Sequence, residues 1–190
     1  MKKELILASG SPRRKEILTE MGFALTVKTA EVDESLPDGT SPYDGVRMLA
    51  IKKGAAVVAL LGDEIPVLSA DTLVELDGEA LGKPIDAADA VRMLSALSGS
   101  VHYVHTGVCI HHKGKCYAET ATTAVHFRAL SEEEILAYVA SGAPMDKAGA
   151  YGIQGAAGAF VERINGDFDT VVGLSSRLTL KLLSEAEANA

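Results

Sequence analysis

Apolar and polar positions along the chain follow strand and helix periods in turn. Residues 4–8 form a short apolar run typical of a strand, and Ser11-Pro12 then supplies an N-cap and a first helical residue. The same device, Ser41-Pro42, opens a second helical segment that we expect to continue to about residue 61. A strand-like segment over 24–29 lies between these two predicted helices.

The rest of the chain mixes the two periodicities. We expect strands over 66–70, 73–76 and 159–164, a long hairpin over 101–128, and helices over 87–97, 131–142 and 174–188. Ser131 and Glu134 form a capping box at the start of the helix that follows the hairpin. Because helices alternate with both sequential and hairpin strands, we predict an α/β fold. It is a single domain over residues 1–190 with a central mixed, twisted sheet flanked by helices.

Composition narrows the class of protein. The 190 residues are 47% hydrophobic and 23% charged, which is typical of a globular protein and excludes a disordered or fibrous chain. The longest apolar run, residues 55–61, is far shorter than the roughly 20 residues of a membrane-spanning helix. The apolar run near the N-terminus is also too short for the core of a signal peptide, so we expect a cytoplasmic protein without membrane association.

The charge is unevenly distributed. The net charge is −8, and this acidity argues against a nucleic-acid polymer as partner because polyanions are repelled at long range. Residues 1–15, where Lys2 is one of five cationic side chains, nevertheless carry +4 and leave −12 on the remainder. This segment is therefore suited to a small anion.

The cysteines and histidines do not indicate a metal site by their spacing. Cys109 and Cys116 lack the CxxC pattern, so we interpret them as reduced, small apolar side chains rather than as a disulfide framework or a zinc knuckle. Neighbouring strand residues alternate between faces, so the histidines in the predicted hairpin should point apart and form a polar sheet surface. They are His102, His105, His111, His112 and His126.

The segment Ser9-Gly10-Ser11-Pro12-Arg13-Arg14 combines features that bind phosphate. A strand leads into a helix N-terminus, where exposed backbone N–H groups, hydroxyls and two guanidinium groups come together. The spacing is neither that of a Walker A loop nor that of a dinucleotide fingerprint. The alternative is a well-capped surface helix with a solvated arginine pair.

A second candidate is the acid and hydroxyl pair Asp71-Thr72, which we place at the end of an apolar strand. A carboxylate there can bind a divalent cation or take a proton from water, whereas the alternative is an aspartate that caps a turn. Glu34 and Lys83 are further candidates in loops, where charged residues are usually solvated.

Taken in order, these segments resemble the Maf family of nucleoside triphosphate pyrophosphatases over essentially the whole chain. The motifs that carry the resemblance are Leu7-Ala-Ser-Gly-Ser-Pro-Arg-Arg14, Val32-Asp-Glu34, Leu49-Ala-Ile-Lys-Lys53, Ser69-Ala-Asp-Thr72, Gly82-Lys-Pro84, Leu97-Ser-Gly-Ser-Val-His102, Thr106-Gly-Val108, Lys147-Ala-Gly-Ala-Tyr-Gly-Ile-Gln-Gly155 and Val171-Val-Gly-Leu174. The stretch 147–155 is similar to the subgroup that acts on dTTP and UTP. One departure is Ser175, which stands where the family usually has a proline that opens a helix.

The resemblance implies a fold like that of inosine triphosphatase, with a substrate cleft between two lobes, and it implies a homodimer. By the same resemblance Asp71 accepts the proton, and substrate choice depends on Arg13, Thr72 and Gln154. The expected reaction is the hydrolysis of dTTP and UTP to the monophosphate and pyrophosphate, as housekeeping of the nucleotide pool.

The chemistry of these residues agrees with that reaction. Asp71 with Glu34 would hold Mg²⁺ or Mn²⁺, and Gln154 offers both a donor and an acceptor to a pyrimidine edge. Binding of the triphosphate falls to hydroxyls and cations, namely Ser9, Ser11, Arg13, Arg14, Lys53 and Lys83.

The sequence is also compatible with two alternative functions. One is pyrophosphatase activity on other or modified nucleotides. The other is a nucleotide-binding regulator of septum formation and cell division, which would bind without turnover.

Overall fold

The computed structural model describes residues 3–189, so Lys2, counted above among the N-terminal cations, lies outside the described residues. The strands are β1 (Glu4–Leu7), β2 (Ala24–Val27), β3 (Val67–Leu76), β4 (Glu79–Leu81), β5 (Val101–His112), β6 (Lys115–Phe127) and β7 (Val161–Asn165). The helices are α1 (Pro12–Glu20), α2 (Pro42–Leu61), α3 (Ala87–Leu97), α4 (Glu132–Ala140), α5 (Phe168–Val172) and α6 (Ser176–Ala188). Short 3₁₀ turns cover Ala148–Ala150 and Ala156–Phe160.

The strands form one mixed sheet in the order β2-β1-β3-β5-β6-β7, with β4 paired to β3. β1 runs parallel to both β2 and β3, whereas the β3–β4 and β6–β7 pairs are antiparallel. The predicted α/β class, with a mixed sheet flanked by helices, is confirmed.

The chain forms two compact units, and neither is a continuous stretch of sequence. The first unit comprises the described residues of Met1–Thr72, Thr106–Ala121 and Gly173–Ala190, and the second comprises Leu73–His105 and Thr122–Val172. The single domain over 1–190 and the cleft between two lobes stay predictions. None of the helices in the described part of the chain is both long and apolar enough to cross a bilayer.

In the first unit, two glycines allow α2 to approach the sheet closely. A Cβ on Gly54 would lie 2.6 Å from both the Ser69 hydroxyl of β3 and the His111 ring of β5. A Cβ on Gly107 would overlap the backbone of Val46 in α2. Because only glycine fits these contacts, α2 packs tightly on the sheet and carries Lys53, the neighbour of Gly54, toward β3.

In the second unit, an aromatic cluster dominates the core. The ring of His102 is fully buried and meets the rings of Phe127 and Tyr151 edge-on, with centroids 4.9 and 5.4 Å apart. Phe160 packs in the same manner against Phe127, at 6.0 Å. Such edge-to-face pairs add to the free energy gained by apolar burial, so this cluster anchors the segment around Tyr151.

The predicted helix starts are confirmed. Ser11 and Ser41 each accept a hydrogen bond from the backbone three residues on, with proline in the first turn. Asp86 caps α3, and Ser131 and Glu134 form the predicted capping box of α4. The sequence did not indicate α5, a single short helix of five residues.

The expectation that strand structure stops around Asp71 and Thr72 is wrong. Both residues lie inside β3, which is one continuous strand of ten residues, and Asp71 therefore does not cap a turn. Aspartate disfavours strands locally, but pairing of β3 with neighbours on both sides overrides that preference. The carboxylate of Asp71 is thus held by the sheet itself.

The expectation of a polar histidine surface on the hairpin is also wrong. Four of these histidines are buried, because β5 is an interior strand: His102, His105, His111 and His112 are 0–9% exposed. His126 on β6 is half-buried. Cys109 is buried, as expected of an apolar side chain, whereas Cys116 is exposed.

Candidate active site

The turn between β1 and α1 is held by its own serines. The Ser9 hydroxyl accepts hydrogen bonds from the Ser11 backbone N–H at 3.2 Å and from Arg14 Nη1 at 3.1 Å. Ser11 Oγ in turn accepts from the Arg14 backbone N–H at 3.4 Å. The turn is therefore preorganised at the positive end of a helix, which is a suitable place for phosphate.

Arg14 is fixed by three separate bonds. Besides the bond to Ser9, its Nε donates to the carbonyl of Gly173 at 2.8 Å and its Nη2 donates to the hydroxyl of Thr72 at 3.2 Å. Burial lowers the pKa of Arg14 from its usual value, and the neighbouring charge of Arg13 lowers it further, while Asp71 opposes this shift. Three of the five guanidinium N–H donors are used, so the charge has a set orientation.

The Thr72 hydroxyl belongs to this network. It lies 2.9 Å from the hydroxyl of Thr106, which is fully buried, and 3.4 Å from the Gly173 carbonyl. The hydroxyl is thus positioned by groups from three separate parts of the chain. Thr106 and Gly173 fall within motifs quoted above, but sequence reasoning gave neither of them a role.

Lys53 connects two carboxylates. Its ammonium lies 2.6 Å from Asp71 Oδ1 and 3.0 Å from Glu34 Oε1. The Asp71 side chain is only 12% exposed, whereas that of Glu34 is 59% exposed. A single ammonium is therefore shared between a buried acid and a solvated one.

Burial raises the pKa of Asp71 above its usual value, and the negative charge of Glu34 also raises it. The charges of Lys53 and Arg14, together with the hydrogen bond from Lys53, act in the opposite direction. A carboxylate whose proton affinity is increased while cations still favour its ionised form is suited to accept a proton from water.

The acidic loop that carries Glu34 is tethered to α2. Lys52 donates to the Ser35 carbonyl at 2.7 Å and to the Asp33 carbonyl at 3.4 Å. Ser35 also bonds the Asp33 carboxylate, which closes a small turn. Successive lysines on α2 thus hold the loop, one through its backbone and the other through Glu34.

The pair of carboxylates fits a divalent cation. The oxygens of Asp71 and Glu34 converge on one positive group, the Lys53 ammonium, and carboxylate oxygens are the donors that Mg²⁺ and Mn²⁺ prefer. Arg13, half-buried in the first turn of α1, adds charge on the same unit.

Ser175, which stands where the family usually has a helix-start proline, begins α6 by capping it. Its hydroxyl accepts a hydrogen bond from the Leu178 backbone N–H at 3.2 Å, so it is the N-cap of α6, and it is buried. Gly173, two residues before Ser175, has a φ of 127°, which favours glycine, and its carbonyl accepts the hydrogen bond from Arg14 Nε. A capping serine therefore supports this loop in place of proline.

The second unit holds the other two predicted site residues. The Gly149 N–H donates to the Gly82 carbonyl at 3.0 Å, which joins the Gly82-Lys83-Pro84 turn to the segment that contains Gln154. The side chains of Lys83 and Gln154 are both exposed. The first unit thus brings its predicted residues together, and in the second unit a backbone hydrogen bond joins the segments that carry Lys83 and Gln154.

The comparisons with known proteins agree with the motifs. The family model described as Maf-like protein matches residues 4–186. A relative from Hahella chejuensis, named dTTP/UTP pyrophosphatase, is 46% identical over 97% of this chain and 92% of its own. A protein of the same name from Salmonella typhimurium is 48% identical over 97% of this chain and 93% of its own. Among solved structures, a HAM1 protein from Coxiella burnetii is 14% identical, with a TM-score of 0.49 over 97% of this chain and 100% of that chain. The extent and identity of the sequence matches show that this chain belongs to the Maf family.

Proposed function

We propose that this protein hydrolyses dTTP and UTP to the nucleoside monophosphate and pyrophosphate. The observation that carries the proposal is the buried Asp71 carboxylate bonded to Lys53 beside the fixed Arg14 guanidinium. Relatives that are 46–48% identical over almost the whole chain bear the name of this activity.

Cleavage between the α and β phosphates places additional negative charge on the departing pyrophosphate, so catalysis depends mainly on positioning and charge stabilisation. Arg14 offers a cation whose orientation is already set, and Ser9 and Ser11 shape the turn that would receive a phosphate. Arg13, Lys53 and the exposed Lys83 complete the proposed cationic set.

In this proposal Asp71 takes the proton from the attacking water. Its burial makes it a better proton acceptor than a solvated aspartate, while the charge and hydrogen bond of Lys53 favour its ionised form. Lys53 has a second carboxylate partner in Glu34, so it remains paired when Asp71 becomes protonated.

We further propose that Asp71 and Glu34 hold Mg²⁺ or Mn²⁺. A bound divalent cation would neutralise phosphate oxygens and lower the pKa of a coordinated water. The two carboxylates supply few ligands, which suits a cation that keeps several waters and also binds the substrate phosphates.

Recognition of the base is assigned to Gln154, with Arg13 and Thr72 as further determinants of substrate choice. The exposed Gln154 amide presents a donor and an acceptor, which match the adjacent N–H and carbonyl of uracil or thymine. The Thr72 hydroxyl is held by Thr106 and Arg14, so it would act from a fixed position. A cytoplasmic location and a homodimer stay predictions.

Product analysis tests the activity. The protein is incubated with dTTP, UTP, CTP, ATP and GTP, each with Mg²⁺ or Mn²⁺, and the products are separated. We expect pyrophosphate and monophosphate, with dTTP and UTP hydrolysed fastest and no turnover once a chelator removes the metal. Orthophosphate with a nucleoside diphosphate would overturn the reaction proposed here. Faster turnover of modified nucleotides, or tight binding without turnover, would favour the alternatives of a different pyrophosphatase or a regulator.

A further inference from the structure

Three side chains of types that bind metals come together in the first unit, and none of them has a role in the proposed function. Cys109 Sγ lies 3.3 Å from Cys116 Sγ and 3.4 Å from His111 Nδ1. One ligand atom from each of the three residues lies within 4.8 Å of the other two. The proposed phosphate and metal ligands include none of these side chains.

The hairpin of β5 and β6 explains how they meet. Cys109 and His111 are two residues apart on β5, so their side chains leave the same face of the strand. Lys113 and Gly114, with φ of 48° and 74°, form a tight two-residue turn of the kind that suits hairpins. The returning strand then brings Cys116 to that face, although the spacing in the sequence resembles no common zinc motif.

The cluster is largely buried, yet one of its side chains is accessible to solvent. Cys109 is fully buried and His111 is 9% exposed, whereas Cys116 is exposed and opens the cluster to solvent. The absence of a side chain on Gly54 leaves room for the His111 ring, since a Cβ there would lie 2.6 Å from Nδ1. A metal ion could therefore enter from the side of Cys116 and meet two ligands already in place.

We propose that Cys109, His111 and Cys116 bind one thiophilic divalent cation of the zinc class. Two thiolates and an imidazole are ligands that Zn²⁺ prefers, whereas Mg²⁺ and Mn²⁺ prefer carboxylate oxygens. Binding releases the two thiol protons to solvent, and three protein ligands leave a fourth position for water. The inference does not depend on the proposed pyrophosphatase activity.

The two distances from Cys109 Sγ need little adjustment for tetrahedral coordination. With bonds of about 2.3 Å to sulfur and about 2.0 Å to nitrogen, ligand atoms are separated by about 3.8 Å for two sulfurs and about 3.5 Å for sulfur and nitrogen. The two sulfurs therefore have to separate by about half an ångström, which rotation of the exposed Cys116 side chain can supply.

The test uses the full chain, reduced and freed of metal under nitrogen without nucleotide. Zn²⁺ affinity is measured by competition with a chromophoric chelator, and native mass spectrometry counts the ions bound. We expect one Zn²⁺ per chain, protection of both thiols from a thiol reagent, and a thiolate-to-metal absorption band when Co²⁺ replaces Zn²⁺. Cys116→Ser, at an exposed position, should weaken Zn²⁺ binding by about 100-fold or more, because a ligand is lost.

Two control variants separate this cluster from other sites. His112→Asn changes the adjacent histidine, and Asp71→Asn changes the proposed magnesium site; both should bind Zn²⁺ with wild-type affinity. A Cys116→Ser protein with a native circular dichroism spectrum and unchanged affinity would overturn the proposal. So would a wild-type protein whose thiols stay fully reactive in the presence of equimolar Zn²⁺.

Discussion

Asp71 in the first unit and His102 in the second are both buried titratable groups, yet their surroundings differ in kind. Burial disfavours the charged form of each group, so it raises the pKa of Asp71 and lowers that of His102 to about 4. Around Asp71 stand the charges of Lys53, Arg14 and Glu34. Around His102 stand aromatic rings and the Tyr151 hydroxyl, 2.8 Å from Nε2.

This difference distinguishes a group suited to catalysis from a group that contributes to core packing. A buried carboxylate surrounded by cations stays ready to exchange a proton, whereas an imidazole enclosed by rings stays neutral over the physiological range. Both residues lie in motifs of the family, so membership of a motif alone does not distinguish a base from a core residue. The charged neighbours do, and substitutions at each site measure the distinction.

The largest effect is expected at Asp71. Asp71→Asn keeps the shape but removes the proton acceptor, so turnover of dTTP and UTP should fall by about 100-fold or more. Pyrophosphate release is measured at saturating metal, with the exposed Asp38→Asn as a matched control that keeps wild-type turnover within about threefold. Near-normal turnover in a folded Asp71→Asn protein would place the base elsewhere.

Loss of Lys53 should have the next largest effect. In Lys53→Met the ammonium shared by Asp71 and Glu34 disappears, and we expect kcat/KM to fall by about 30-fold, with a higher KM and a lower kcat. Lys15→Met, on the exposed side of α1, is the matched control and should change kcat/KM by less than about threefold. A change in kcat with no change in KM would show that Lys53 does not contribute to substrate binding.

Arg13→Ala in the first unit and Lys83→Ala in the second are tested by the same kinetic measurement. Each removes a proposed phosphate cation, so each should raise KM and lower kcat, by about 10-fold in kcat/KM. Equal effects would place the exposed Lys83 on the triphosphate together with Arg13. A wild-type KM for Lys83→Ala would remove it from the phosphate-binding set.

How far the sequence predicted this site depends on how local each signal is. Capping by Ser11 and Ser131 is a contact within four residues, so the helix starts followed directly from the sequence. The pairing of β3 with strands on both sides is a long-range feature. For that reason the sequence placed Asp71 at a strand end, whereas it lies in the middle of β3.

The contacts of Arg14 show the same limit. The motif identified Arg14 as a cation near phosphate, but its acceptor at Gly173 lies 159 residues away in the chain. Likewise, nothing in the spacing of Cys109 and Cys116 indicated that their sulfurs lie 3.3 Å apart. Residue types were predictable, and partners brought together by folding were not.

The His102 environment predicts a loss of stability in acid. The folded-state pKa of about 4 lies below the value near 6.5 of an exposed histidine, so the unfolded chain binds the proton more readily. The contribution of neutral His102 to the free energy of unfolding is complete above about pH 6.5 and is lost as the pH falls toward 4. Between pH 7 and pH 5 this contribution decreases by about 2 kcal/mol.

The variant His102→Gln does not titrate in this range and isolates the effect. Urea unfolding of both proteins is followed at pH 7 and pH 5. The variant should be less stable at pH 7, and the difference in unfolding free energy between the two proteins should shrink by about 2 kcal/mol at pH 5. A difference that is the same at both pH values would mean that His102 is not the titrating group.

The last expected effect concerns recognition of the nucleotide base, and it tests the role of the buried core around Tyr151 in the second unit. Tyr151 is hydrogen-bonded to His102 and anchors the segment that contains the exposed Gln154. The Gln154 amide therefore projects from a segment that is packed against the core rather than from a loose loop. A site that pairs with uracil or thymine leaves its polar groups unmatched against cytosine, at a cost of about 1–3 kcal/mol per group. Gln154→Ala should therefore reduce the ratio of kcat/KM for UTP over CTP by about 10-fold. If Gln154 only braces the segment, activity on all nucleotides will fall together and the ratio will not change.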